Sequence, residues 1–225
     1  MAFNQDEFDF YILNFELIKF LDEPRKLSSG RESNFYINWR KITTRYPHAP
    51  AIGKKIIEFA KEQGYDPDCF LGVPDGATTL GLFTQAEWLK EHKSQLDVLP
   101  MARGSPKDYG DPADQYFVGR PYGKTLLIDD VTETGDSILR LLTRLRRLDV
   151  QIEGVIALTD RNHKPEYGGS VEEALRACDV PYHSMSSALR LLPQAYKRMK
   201  PSKDIARRVE EEFEKYGTGR LNLIS

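Results

Sequence analysis

The chain has 225 residues, enough for one sizeable α/β unit with its own hydrophobic core. Its 40% hydrophobic and 29% charged content is ordinary for a globular protein, and a formal net charge of −2 excludes a global field that draws it onto nucleic acid or a membrane surface. No run approaches the ~18 apolar residues of a membrane helix, no basic-then-apolar leader opens the chain, and Cys69 and Cys178 form neither a disulfide framework nor a metal-ligand spacing, so a reducing cytoplasm is the expected setting.

In chain order, Phe8, Tyr11, Ile12, Phe15 and Ile18 recur on one helical face. Pro24 and Ser28-Ser29-Gly30 predict the end of that helix and a loop. Phe35-Tyr36-Ile37 reads as a short strand. Ile52, Ile56, Phe59 and Ala60 line a second helix, stopped by Gly64 and Pro67. An alternation of strands and helices then begins. Cys69–Val73 is an apolar run ending in Pro74-Asp75-Gly76, a strand then a turn. Leu80, Phe83 and Trp88 suit a helix, and Leu96–Met101 a strand. Residues 103–123 are interspersed with Gly, Pro and charge, lack periodicity and read as one long loop, a kind usually functional or disordered.

Thr125–Ile128 is the clearest buried strand, followed by Ile138, Leu141, Leu142, Leu145 and Leu148 at helical spacing. Ile152–Leu158 is another strand, Val171, Ala174 and Leu175 sit on a helix, and Tyr182–Met185 is a last short strand. This order predicts an α/β fold with a mainly parallel sheet flanked by helices. Ile205, Val209 and Phe213 mark a terminal helix. The expected organisation is a single domain over 1–225. Residues 1–45 form an N-terminal hood, and 193–225 a helical extension whose many charges suggest a solvated face without chemistry.

The chemistry concentrates at Asp129-Asp130-Val131-Thr132-Glu133-Thr134-Gly135-Asp136-Ser137. An apolar strand runs into two acids, then small and hydroxyl residues, then a helix. In parallel α/β sheets ligands bind beyond the carboxyl ends of strands. Thr134, Gly135, Asp136 and Ser137 fall where a helix N-terminus offers free N–H groups and the positive end of its dipole to a phosphate. Thr134 and Ser137 add hydroxyl donors, and Gly135 permits close backbone approach. Asp129 and Asp130 suit a sugar diol and a divalent cation that a pyrophosphate brings with it. Hydroxyls at a helix start are common caps. Adjacent acids ending a buried strand are rarer, because Asp is depleted in strands.

This segment resembles the motif by which type I phosphoribosyltransferases bind 5-phosphoribosyl 1-pyrophosphate (PRPP). The resemblance implies that fold, with its hood, and a PRPP site comprising Asp75, Gly76, Asp129, Asp130, Thr132, Glu133, Thr134, Gly135, Asp136 and Ser137. It also implies Mg²⁺ carried by PRPP near Asp129 and Asp130. Across roughly residues 25–195 the order of motifs is similar to that of orotate phosphoribosyltransferases. Ser29-Gly30-Arg31-Glu32-Ser33-Asn34-Phe35-Tyr36 resembles the stretch that lies against the orotate ring; residue type alone makes Phe35 and Tyr36 a packed strand. Gly72–Ala77 resembles the pyrophosphate loop. Asp160-Arg161 resembles the pair whose Arg meets the orotate carboxylate, which makes Phe35, Tyr36, Glu133 and Arg161 the implied base contacts. Arg103–Gly110 resembles a mobile lid that closes over pyrophosphate, partly across a dimer interface, with Arg103 and Lys107 as its catalytic cations.

Gly104 and Tyr109 replace the lid's second basic residue and its His, and Ser28 stands where Lys is frequent, with Lys26 two residues earlier. Glu133 takes a position where orotate enzymes commonly carry Thr and purine enzymes often an acid that contacts N7. Three readings follow. The chain transfers phosphoribosyl from PRPP to orotate as a homodimer with Mg²⁺, in pyrimidine synthesis. Or it serves a purine or other base through Glu133. Or it is a non-catalytic PRPP-sensing regulator; the retained Arg103 and Lys107 argue against this last reading, and the net charge argues against a nucleic-acid partner. Under the first reading Glu133 is expected to turn away from the base, toward the lid cations.

Overall fold

The computed structural model describes residues 3–92, 97–111 and 114–224. Helix α1 (Gln5–Asn14) is capped by the Asn4 side chain, which accepts from the Glu7 N–H, and buries Phe8 and Ile12. The helix does not reach Ile18 as the periodicity suggested. The chain turns at Glu16, whose φ is 51°, and Ile18 opens strand β1 (Ile18–Lys26), paired antiparallel with β2 (Glu32–Ile37). Pro24, expected as a helix stop, lies inside β1. It is tolerated there because β1 has one partner strand and its register shifts between Phe20 and Arg25.

The turn α2 (Arg40–Thr43) leads to α3 (His48–Glu62), then β3 (Cys69–Gly72), α4 (Thr78–Glu91), β4 (Met101–Ala102) and β5 (Phe117–Val118). The strand expected over 96–101 shrinks to β4, and Leu96 lies outside the described residues. The region 103–123 is not one featureless loop either: β5 returns to pair antiparallel with β4. The chain continues through β6 (Lys124–Thr132), α5 (Asp136–Arg147), β7 (Gln151–Asp160), α6 (Val171–Arg176), β8 (Tyr182–Ser184), α7 (Ala188–Met199) and α8 (Lys203–Tyr216).

Strands β3, β6, β7 and β8 form a parallel sheet in the order β3-β6-β7-β8. The side chains of β6 alternate between two cores, as strand geometry requires. Leu126 and Ile128 pack with residues of α1, α3, α7 and α8, and Leu127 with residues of α5 and α6. The expected α/β architecture, a mainly parallel sheet flanked by helices, is what the chain adopts. The indole Nε1 of buried Trp39, which follows β2, donates to Thr159 Oγ1 at 2.9 Å and ties the β1–β2 hairpin to β7. Among the described residues no helix is long and apolar enough to cross a membrane.

The C-terminal residues correct the expectation of a solvated extension. Ile205, Val209 and Phe213 of α8 are buried, and Phe213 stacks on Phe35 of β2 with ring centroids 5.9 Å apart.

Candidate active site

β6 carries its hydrophobic run through Ile128 and then presents Asp129 and Asp130 at its carboxyl end. Asp129 is buried and accepts a 2.7 Å hydrogen bond from Thr132 Oγ1. Burial, and then the charge of Asp130, push the Asp129 carboxyl up to about 7. Burial also raises Asp130, against the opposing charge of Arg40. Gly135, at φ 80°, turns the chain into α5, which no side chain caps. That backbone suits glycine and leaves the amides of the first turn for a ligand. Thr134 Oγ1 donates to Asp136 Oδ2 at 2.8 Å.

The turn after β3 closes on this strand end. A Cβ on Gly76 would stand 2.4 Å from Asp130 Oδ1, so the absence of a side chain there lets Asp75-Gly76 lie against the acid pair. Asp75, Gly76, the segment Asp129–Ser137, Tyr36 and Arg161 line one cavity of 370 Å³. Twelve of the fifteen residues expected at the site from sequence therefore meet around one space, together with Val131.

Phe35, Arg103 and Lys107 do not line it. Phe35 is fully buried, because alternation along β2 sends Tyr36 to the cavity and Phe35 to the core. Residue type alone had favoured that outcome for Phe35. Arg103 Nε donates to the Asp114 carbonyl at 3.0 Å, and Lys107 Nζ lies 4.5 Å from the Tyr109 ring centroid. Gly104 does approach the site: a Cβ there would come 2.9 Å from Asp75 Oδ1. The missing basic side chain at this position thus lets the loop backbone run beside Asp75.

Near Glu133, buried ionisable groups gather from three segments, with hydroxyls of the β1–β2 hairpin between them. Ser29 Oγ donates to Glu133 Oε1 at 2.7 Å, and His163 Nδ1 stands 3.7 Å from the same oxygen. The Glu133 carboxyl thus faces Ser29 and His163, and not Arg103 or Lys107 as expected. Burial acts to raise its pKa; His163, the Ser29 hydrogen bond and the charge of Arg161 outweigh it and hold the carboxyl below its ordinary value. Arg161, 2% exposed, gives Nη2 to Ser33 Oγ at 2.8 Å and to Glu212 Oε1 at 3.0 Å. Its Cζ sits 3.8 Å from the Phe35 ring centroid. Phe35 therefore supports the guanidinium from the core. His163 Nε2 lies 3.4 Å from Glu212 Oε1, and neither ring nitrogen makes a well-formed hydrogen bond. Burial lowers the His163 pKa, against the neighbouring Glu133 carboxylate, which raises it.

His163 and Glu212 are the functional candidates that sequence reasoning passed over. Glu212 had a readable signal: it falls three residues after Val209 and beside Phe213, on the apolar stripe of α8, where a charge needs a buried partner. His163 is a single residue in a loop and carried none.

No protein-family model matches the chain. The chain is 31% identical over 140 residues to orotate phosphoribosyltransferase of Thermococcus kodakarensis, covering 62% of this chain and 72% of that protein. It is 29% identical over 180 residues to the orotate phosphoribosyltransferase of Aquifex aeolicus, covering 78% and 91%. The crystal structure of orotate phosphoribosyltransferase from Francisella tularensis superposes with a TM-score of 0.63 at 18% identity, over 95% of this chain and 98% of that one. At that identity the likeness speaks for the fold.

Proposed function

The chain belongs to the orotate phosphoribosyltransferase family, and from that we propose that it transfers the 5-phosphoribosyl group of PRPP to orotate. The products are orotidine 5′-phosphate and pyrophosphate. The observation that carries the reading is the single cavity in which the acid pair, the uncapped start of α5 and a buried arginine meet. Amides of the first turn of α5, with Thr134 and Ser137, hold the 5-phosphate. Asp129 and Asp130 accept hydrogen bonds from the ribose hydroxyls. Asp75-Gly76 lies on the pyrophosphate side, and Tyr36 and Arg161 orient the base.

The bond from the base nitrogen to C1 of the ribose forms as the C1–oxygen bond breaks, and the electron pair leaves with pyrophosphate. The N–H proton of that nitrogen passes to the departing pyrophosphate or to water as the bond forms, so no strong protein base is needed. Positioning and charge stabilisation then supply the rate.

Magnesium prefers phosphate oxygens, waters and one or two carboxylates. Asp129 and Asp130 provide that number, and among the described residues no group of three or more His, Cys, Asp or Glu suits a metal. The donor set fits Mg²⁺ arriving with PRPP. Asp129 and Asp130 would hold Mg²⁺ near the pyrophosphate, where it would neutralise charge on the leaving group. Arg103 and Lys107, outside the cavity of their own chain, are assigned to the cavity of a second copy in a cytoplasmic homodimer.

One observation favours a second reading. Glu133 lines the cavity with its carboxyl pKa held low, and an ionised acid beside a base suits the N–H of a purine better than the carboxylate of orotate. Pyrophosphate release from PRPP–Mg²⁺ with orotate, hypoxanthine and adenine decides between them. Release with orotate alone is expected; release with a purine alone overturns the assignment of the base and leaves the PRPP site standing.

A further inference from the structure

Helix α8 brings a carboxylate to the back of the cavity. Its apolar stripe of Ile205, Val209 and Phe213 is buried, and Glu212 goes in with it. A buried charge must be paired and hydrogen-bonded. Glu212 Oε1 accepts from Arg161 Nη2 at 3.0 Å, and Oε2 faces Ser33 Oγ at 2.9 Å and the Asn34 N–H at 3.3 Å. Ser33 Oγ in turn accepts from Arg161 Nη2. With Phe35 against its face, the guanidinium is fixed by β2 and α8 together. Its Nε has no hydrogen-bond partner among the described residues. Arg161 lines the cavity, whereas Glu212 contacts it from outside that lining. The cation offered to a ligand thus shares its charge with Glu212, while Glu133 lines the same cavity.

We propose that Glu212 is a positioning residue for base recognition: it fixes the Arg161 guanidinium and reduces the positive charge Arg161 presents, and so sets the preference between anionic and neutral bases. The proposal rests on the reading of this cavity as the base site.

Two variants separate charge from position. Glu212→Gln keeps an acceptor for Arg161 and removes the negative charge. Glu212→Asp keeps the charge and draws the carboxylate back by one methylene, away from Arg161. The KM for orotate should fall by roughly three- to tenfold in Glu212→Gln, because the charge of Arg161 is less compensated. It should rise in Glu212→Asp. The KM for PRPP should stay at its wild-type value in both, and thermal melts establish that each is folded. A merely structural role would instead weaken orotate and PRPP together in both variants. That result, or an unchanged orotate KM in a folded Glu212→Gln, overturns the proposal. If Glu212→Gln does not fold, Glu212→Asp decides: loss of orotate affinity without loss of PRPP affinity supports the proposal, and no selective loss overturns it. If the wild type does not turn over orotate, the proposed function fails separately. Calorimetric titration of orotate into the pyrophosphate–Mg²⁺-loaded proteins then reads the same opposed shifts as dissociation constants.

Discussion

Ser29 Oγ and Glu133 Oε1 lie 2.7 Å apart, a hydrogen bond that joins the turn after β1 to the loop after β6. It anchors an ionised carboxylate in the lining of the cavity, where orotate would add a second one. Like charges ~4 Å apart cost roughly 4 kcal/mol even at an effective dielectric near 20. Held toward Ser29 and His163, Glu133 meets only a fraction of that repulsion, so Glu133→Thr should lower the KM for orotate several-fold with kcat preserved. Steady-state kinetics with orotate and hypoxanthine check it. A wild type active on hypoxanthine, losing that activity in the variant and gaining none with orotate, would show Glu133 to be a purine contact.

Replacing both Asp129 and Asp130 with Asn should abolish stabilisation by PRPP–Mg²⁺ while the ligand-free protein still folds. Each charge-assisted hydrogen bond lost costs about 1.5–3 kcal/mol of binding. Thermal melts with and without PRPP–Mg²⁺ make the comparison, and a wild-type ligand shift in the double variant would remove the acid pair from the site.

Asp129 also sets a pH dependence. Its carboxyl, raised to about 7 from an ordinary 3.8, binds more protons in the folded than in the unfolded chain between those values. The folded state therefore loses stability as pH rises through that window. Asp129→Asn lacks this loss, so the melting temperature of the variant minus that of the wild type should grow from pH 4 to pH 7 without ligand. A difference that stays flat or shrinks would mean that Asp129 ionises in the fold as readily as in the unfolded chain.

Phe213→Ala should destabilise the protein by about 3–5 kcal/mol, the usual cost of emptying a buried aromatic site. Phe213 backs Phe35, and Phe35 backs Arg161. Orotate KM should accordingly rise more than PRPP KM. Denaturant unfolding and the two Michaelis constants test both halves.

Lys107→Ala and the double variant Asp129→Asn/Asp130→Asn should each be inactive, yet regain activity when mixed and allowed to exchange subunits. If Lys107 serves the partner's cavity, a mixed dimer holds one doubly defective site and one intact site. Absence of recovery after verified exchange would assign the loop to its own cavity.

The half of the cavity assigned to PRPP was legible as a cluster because it is local. Asp129–Ser137 is one strand end, one turn and one helix start, and each residue type there answers a local demand. The base half was only partly legible. The role of Phe35 hinged on which side of β2 faces the core, which the short run Phe35-Tyr36-Ile37 does not reveal. Ile18 and Pro24 misled because Phe8, Tyr11, Ile12 and Phe15 keep helical spacing up to a turn made at Glu16, a residue with no turn signature. Glu212 stayed hidden because α8 was read by its many charges, when its position on the apolar stripe was the informative feature.

The distances along the chain also give the two halves different assembly histories. The phosphate cradle closes within nine residues, Asp129–Ser137, whereas the base end joins Ser29 to Glu133 across 104 positions and Ser33 to Glu212 across 179. Contacts between remote residues carry a larger loop-closure cost and belong to the slower part of folding. On the proposed reading, partial opening of the β1–β2 hairpin or α8 would erode discrimination among bases while the sugar phosphate stayed gripped. Drift in the hairpin or the last helix would change which base is accepted and leave the donor unchanged.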